Sequence, residues 1–152
     1  MVELPKDLRA ALDSDDAEEF GRLLRRRQPE HFQALRALLS AEASIPSDHR
    51  TKALYALGRW GDPLVVPEIR DLLPKLDERS RISAVSALGH LGTPEAIAGV
   101  LEHADDPSPQ VRKAAALALA RSGTADAEAK LKELAVKDPV PWLRDYAARR
   151  AS

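Results

Sequence analysis

Residues 50–61 read Arg50-Thr-Lys-Ala-Leu-Tyr-Ala-Leu-Gly58-Arg-Trp-Gly61, and 31 residues later the chain reads Arg81-Ile-Ser-Ala-Val-Ser-Ala-Leu-Gly89-His-Leu-Gly92. A third copy reads Arg112-Lys-Ala-Ala-Ala-Leu-Ala-Leu-Ala120-Arg-Ser-Gly123, and a fourth begins one residue late at Arg144. Self-similarity at such a period is typical of stacked repeats, because a single unit cannot bury its own apolar face. The repeat therefore predicts an elongated stack of similar units.

Each unit reads as two helices, A and B, joined by a tight turn. In the second unit, helix A is predicted from about Ser80 to Leu91, with apolar side chains at helical spacing: Ile82, Val85, Leu88 and Leu91. Gly92 is placed to end helix A in the left-handed conformation. Thr93 then caps helix B and Pro94 fits its first turn.

Two further columns of the repeat predict how units join. The small residues Gly58, Gly89 and Ala120 predict close approach of neighbouring helices. The recurring arginines are expected to bond the inter-repeat aspartates and turn carbonyls, because a guanidinium carries five fixed donors. A functional row of arginines is the alternative. The four arginines are Arg50, Arg81, Arg112 and Arg144.

The unit Asp-x-x-Pro-x-Val-Arg-x-x-Ala-Ala-x-Ala-Leu-Gly-x-x-Gly resembles the HEAT-like repeat of phycobilin lyase subunits and many bacterial proteins. Residues 47–150 match it in three full units and one half unit. The resemblance implies an all-α fold, a right-handed α-solenoid of HEAT-like hairpins with the B helices on the concave face. Ala120, Ser122 and the extra residue before Arg144 depart from the pattern, as expected for a terminal repeat.

The first forty-six residues are helical but off the repeat pattern. Helices are expected over Pro5–Leu12, from the Asp16 cap to Arg27, and from Glu30 to about Ala41. We interpret residues 1–46 as a divergent helical hairpin that caps the stack. Residues 47–152 then hold three repeats and a half repeat, and Ser44 to Ser47 form a short joint. Both parts belong to one continuous domain.

Composition limits the functions that remain. The chain has 152 residues, 23 Lys and Arg against 24 Asp and Glu, and no cysteine. Disulfides and thiolate metal sites are thus excluded, and the lack of basic excess argues against a nucleic-acid partner. The start has neither a basic segment nor an apolar one, and no apolar run is long enough to span a membrane. We expect a cytoplasmic monomer.

The outward side of helix B gives the first candidate site. Its centre is acidic in each unit, at Asp71, Glu102 and Glu133. Further carboxylates lie near this row, at Glu68, Glu95 and Asp126. A solvated row is one interpretation; the other is an acidic groove that attracts a basic segment of a protein or peptide.

A second candidate interface combines a basic cluster with one aromatic residue. The cluster lies at the end of the second helix, where cations also complement the helix dipole. Trp142 occupies a surface position and either folds back over the end of the stack or marks an interface. The arginines are Arg22, Arg25, Arg26 and Arg27.

The sequence contains no recognisable catalytic set. Walker, Gly-x-Ser-x-Gly and His-Glu-x-x-His motifs are missing, and no two histidines are three or four residues apart. No enzyme activity, cofactor or metal is therefore predicted for the chain itself. The first hypothesis is a non-enzymatic scaffold that binds a protein or peptide on its helix B face. The alternative, implied by the resemblance, is a subunit of a lyase or other tetrapyrrole-handling enzyme.

Overall fold

The computed structural model describes residues 2–40 and 45–151, and this part of the chain is helical without any β-strand. Two short 3₁₀ turns flank the fifth helix, at Pro63–Val65 and Leu73–Lys75. The helices are α1 (Lys6–Asp13), α2 (Ala17–Arg25), α3 (Pro29–Ser40), α4 (Ser47–Trp60), α5 (Val66–Leu72), α6 (Glu78–Leu91), α7 (Pro94–Glu102), α8 (Pro109–Ser122), α9 (Ala125–Lys137) and α10 (Pro141–Arg150).

The helices pair as the repeat predicts. Helices α4, α6 and α8 are the A helices and lie side by side, and α5, α7 and α9 are the B helices packed along them. Helix α10 packs on α8 and α9 as the half unit. The expected all-α solenoid of HEAT-like hairpins is thus confirmed.

Capping side chains set the helix boundaries. Helix α6 begins at Glu78, two residues earlier than predicted, because the Asp77 carboxylate accepts the Ser80 N–H at 2.8 Å. That bond and the Ser47 hydroxyl, helped by the charge of Arg50, hold the pKa of Asp77 below its ordinary value. At the other end, Gly92 has φ of 67° and ends the helix, as its two equivalents do in their units.

The N-terminal hairpin departs slightly from its predicted boundaries. Helix α2 ends at Arg25, two residues early, because Arg27 adopts a left-handed φ of 48°. Helix α3 is observed to Ser40, and the predicted end at Ala41 lies outside the described residues, as does Ser44 of the predicted joint.

Helix α3 takes the place of a helix B in front of the first repeat. It packs against α4 and α5. The buried His31 of α3 contacts Asp7 of α1 through Nε2 at 3.1 Å. Lys52 of α4 donates to the Leu12 and Ser14 carbonyls at 2.6 and 2.7 Å. The hairpin and the repeats therefore share continuous packing.

Candidate protein-interaction surface

The repeated arginines join successive units from within. Arg81 bonds the Asp106 carboxylate through Nε and Nη2, at 3.0 and 3.2 Å, and donates from Nη1 to the Leu76 carbonyl at 3.0 Å. Arg81 therefore connects the turn before its unit with the turn after it. This is the structural role that the sequence predicts, and Arg81 is therefore not a candidate binding residue.

Arg112 makes the most buried of these contacts, which we call arginine joints. Its Nε and Nη2 donate to the Asp138 carboxylate at 2.8 and 3.2 Å, and Nη1 donates to the Asp106 carbonyl at 2.8 Å. Arg112 and Asp138 are only 7% and 4% exposed. Arg144 repeats half of the pattern, donating to the Asp138 carbonyl at 2.7 Å.

His103 lies beside the contact between Arg81 and Asp106, and its Nδ1 is 3.9 Å from the Asp106 carboxylate. Burial lowers the pKa of His103 below its ordinary value of about 6.5, although Asp106 and Glu102 oppose that shift. The unfolded chain therefore binds this proton first as the pH falls, so protonation favours unfolding.

We expect His103→Gln to reduce the loss of thermal stability on acidification. The contribution of a neutral His103 is present above about pH 6.5 and is lost as the pH falls through its lower folded pKa. Melting temperatures of parent and variant, measured from pH 7.5 to 5.0, should diverge over that range. Parallel curves would show that His103 titrates alike in the folded and unfolded chain.

The helix B surface carries its own cations between the predicted carboxylates. Arg36 of α3 pairs with Glu68 of α5, and Arg70 of α5 pairs with Glu102 of α7. Lys130 of α9 contacts the Asp105 and Glu133 carboxylates at 2.8 and 3.3 Å. These contacts raise the pKa of Lys130 against the effect of its partial burial. The predicted acidic row is therefore interrupted by basic side chains.

Gly99 explains how Arg70 reaches across to the next helix B. A Cβ added at Gly99 would lie 2.9 Å from Cγ of Arg70 and 3.0 Å from Cδ1 of Leu88. The arginine stem thus lies directly over the glycine. Sequence reasoning missed these cations because it considered the carboxylates of each helix alone. The available signal was a repeated offset: Arg36–Glu68 and Arg70–Glu102 have the same spacing.

The three other predicted carboxylates are Asp71, Glu95 and Asp126. All three are exposed, and they form no ion pair within residues 2–40 and 45–151. Glu95 and Asp126 lie in the first turns of α7 and α9, where a carboxylate also complements the helix dipole. Of the six predicted carboxylates, these three are therefore the ones without a cation beside them in this part of the structure.

The predicted second interface is divided between distant parts of the fold. Arg22 lies near Asp16 and Glu18, at 3.9 and 3.8 Å, whereas Arg25 and Arg26 are exposed. Trp142 is 43% exposed on α10, which packs on α8 and α9 rather than near α2. The arginines and the tryptophan therefore belong to separate surfaces.

No metal or membrane feature emerges from the described residues. Within them, no group of three or more His, Cys, Asp and Glu side chains has an arrangement that could hold a metal ion. None of the described helices has the length and apolar character needed to cross a bilayer.

The family described as HEAT repeats matches residues 66–151, more than half of the chain. No curated protein matches the sequence.

Two solved structures show the same fold. One is the complex of CpcE and CpcF of phycocyanin lyase from Nostoc sp. PCC7120, with a TM-score of 0.75 at 18% identity. That match covers 95% of this chain and 96% of the other. The other is human deoxyhypusine hydroxylase in complex with glycerol, with a TM-score of 0.60 at 24% identity. It covers 80% of this chain but only 44% of the hydroxylase chain.

Proposed function

This chain belongs to the HEAT-repeat family, and from that premise we propose that it is a subunit of a lyase-type protein assembly to which it contributes a binding surface. Repeat units of this kind build extended surfaces for other macromolecules. We further propose that the chain brings no catalytic set of its own, in keeping with the absence of a recognisable motif in its sequence.

One observation carries this proposal. The likeness to a chain in the phycocyanin lyase complex extends over nearly the whole of both chains, including the divergent N-terminal hairpin. That structure is itself a complex of two different proteins. Of the two functions left open by the sequence, the comparison favours the subunit of a lyase or other tetrapyrrole-handling enzyme over a free-standing scaffold.

We propose the helix B face as the surface that contacts the partner. Glu68 and Glu102 pair with arginines of the preceding helix in the B position and so connect neighbouring units, whereas Glu133 pairs with Lys130 of its own helix. Asp71, Glu95 and Asp126 are exposed, so they are the carboxylates through which we propose that a basic segment of the partner is attracted.

The proposal is tested by purifying the tagged chain from its source cells and measuring the mass of the complex by light scattering. We expect a heteromeric complex with one other protein in fixed stoichiometry, above the 16.6 kDa of the single chain. The purified complex, given a bilin and the apo form of a pigment-binding protein, should attach the bilin covalently. A chain that elutes alone would refute the subunit function.

Two triple variants test whether the helix B face contacts the partner. The triple variant Asp71→Asn, Glu95→Gln, Asp126→Asn should weaken the complex and flatten the salt dependence of its dissociation constant. The control changes three exposed carboxylates elsewhere, Asp15→Asn, Glu19→Gln and Asp145→Asn, and should leave both quantities unchanged. If the two triple variants have the same dissociation constant and salt dependence, the helix B face is not the surface that contacts the partner.

A further inference from the structure

The ends of α2 and α4 meet through a single arginine. Nη2 of Arg27 donates to the Trp60 carbonyl at 2.9 Å, and its guanidinium lies over the Trp60 ring at 5.2 Å. The backbone of Arg27 is left-handed at this point, with φ of 48°. Arg25 and Arg26 directly precede Arg27 in the chain, so they lie near the last turn of α4, where Arg59 is exposed.

Exposed apolar surface adjoins these cations. Tyr55 is 51% exposed and its ring is covered on one side by the Arg59 guanidinium, at 5.3 Å from the ring centroid. In the turn that follows α4, Leu64 is 54% exposed. Two of the four large exposed hydrophobic side chains of the described chain thus lie at this end of α4. Tyrosine and arginine are also the residue types that dominate binding energy at protein interfaces.

A narrow cleft opens next to Tyr55, between α4 and α6. It has a volume of about 130 Å³ and a mainly apolar lining. It exists because the position equivalent to Tyr55 in the next unit is Ser86, whose small side chain leaves the space beside the ring empty. Since a cavity of about 150 Å³ can accommodate benzene, this cleft has the size for one aliphatic side chain. The lining residues are Tyr55, Arg59, Ile82, Ser83, Ser86, Ala87 and His90.

Helix dipoles account for only part of this arrangement. Cations at helix C-termini are favourable, and one such residue ends each A helix, at Arg59, His90 and Arg121. The dipole of α2 also favours Arg25 in its last turn, but it does not explain why Arg25, Arg26, Arg27 and Arg59 are all arginine and none is lysine. The nearby Asp62 carboxylate is engaged by the Leu64 N–H at 3.0 Å. Arginine is the cation suited to bidentate carboxylate recognition.

We propose that this surface, the arginine corner (Arg25, Arg26, Arg27, Arg59 and Tyr55), docks an acidic segment of a protein partner. An aliphatic side chain of the segment enters the cleft beside Tyr55, and carboxylates on either side of it pair with the guanidinium groups. The surface is built by α2, α4 and α6, so it is distinct from the helix B face. The inference goes beyond the proposed function and is tested on the isolated chain.

The probe is the labelled peptide Glu-Asp-Glu-Asp-Leu-Asp-Glu-Asp-Glu, with one control peptide in which Ser replaces Leu and another in which Lys replaces every acid. Binding is followed by fluorescence anisotropy at low and at physiological salt. The variant is Arg25→Ser with Arg26→Ser, since both side chains are exposed. The matched control, Arg9→Ser with Arg149→Ser, removes the same charge from exposed positions on α1 and α10.

We expect the corner variant to weaken binding of the leucine peptide by about tenfold or more, and the control variant by less than about twofold. Ser86→Leu, which fills the cleft, should abolish the preference of the parent for the leucine peptide over the serine peptide. Melting temperatures verify that each variant is folded.

Three results would overturn the inference. Equal losses in the two double variants would show general charge attraction. If the parent binds the leucine and serine peptides with equal affinity, no aliphatic side chain of the peptide enters the cleft. An oligothymidylate that binds more tightly than the peptide, and is sensitive to the same variant, would assign the corner to nucleic acid instead.

Discussion

Arg112→Ala is expected to lower the free energy of unfolding by about 3–5 kcal/mol, the usual cost of removing one partner from a buried ion pair. The carboxylate of Asp138 would remain buried without its cation, and the Asp106 carbonyl would lose its donor at 2.8 Å. Arg112 of α8 bonds both groups, so its loss should loosen α8 against the turn before α10. Urea unfolding followed by circular dichroism measures the difference.

Two controls identify the buried charge as the cause. Arg79 pairs with Asp48 at 2.7 Å, but the two side chains are 71% and 64% exposed. Arg79→Ala should therefore cost less than about 1 kcal/mol. Arg112→Met combined with Asp138→Asn should recover much of the stability, because no charge is then left unpaired. A loss below about 1 kcal/mol for Arg112→Ala would contradict the structural role of the arginine.

Gly89→Ala is expected to lower the free energy of unfolding by about 2–3 kcal/mol, as overpacking in a close helix contact does. A Cβ at Gly89 would lie 2.6 Å from Cβ of Ala118 and 3.3 Å from its Cα. These atoms belong to the backbone and its first side-chain carbon, so α6 and α8 must move apart. The cost outweighs the gain of about 1 kcal/mol that alanine usually brings to a helix.

The chain offers an internal control and a rescue for this substitution. A Cβ at Gly21 would meet only Nη1 of Arg25 at 3.6 Å, so Gly21→Ala should stabilise by up to about 1 kcal/mol. Ala118→Gly, added to Gly89→Ala, removes the 2.6 Å contact and should restore part of the loss. A stabilising Gly89→Ala would mean that the two helices are free to separate.

The periodic features of the structure could be read from the sequence. The left-handed glycine after each A helix, the arginine joints and the close helix contacts all recur at one period, so a single unit defines them. The glycine column ends at Ala120, and the shorter α10 packs mainly on α9 rather than on α8.

The surface charges could not be predicted in the same way. Arg36 and Arg70 lie two helices before the carboxylate that each contacts, so a helical projection of one element does not bring the partners together. The corner at α2 and α4 depends on the contact of Arg27 with the Trp60 carbonyl, 33 residues away. No periodic pattern encodes that contact, because the N-terminal hairpin lies outside the repeat.

The arginine joints also bear on how such a chain can lengthen or shorten during evolution. Arg81 reaches back to Leu76 and forward to Asp106, and Arg112 reaches back to Pro107 and forward to Asp138. Leu76 and Pro107 are equivalent positions, as are Asp106 and Asp138 after the one-residue shift. Tandem duplication or excision of one of these units would therefore leave an arginine of this kind with equivalent acceptors on both sides.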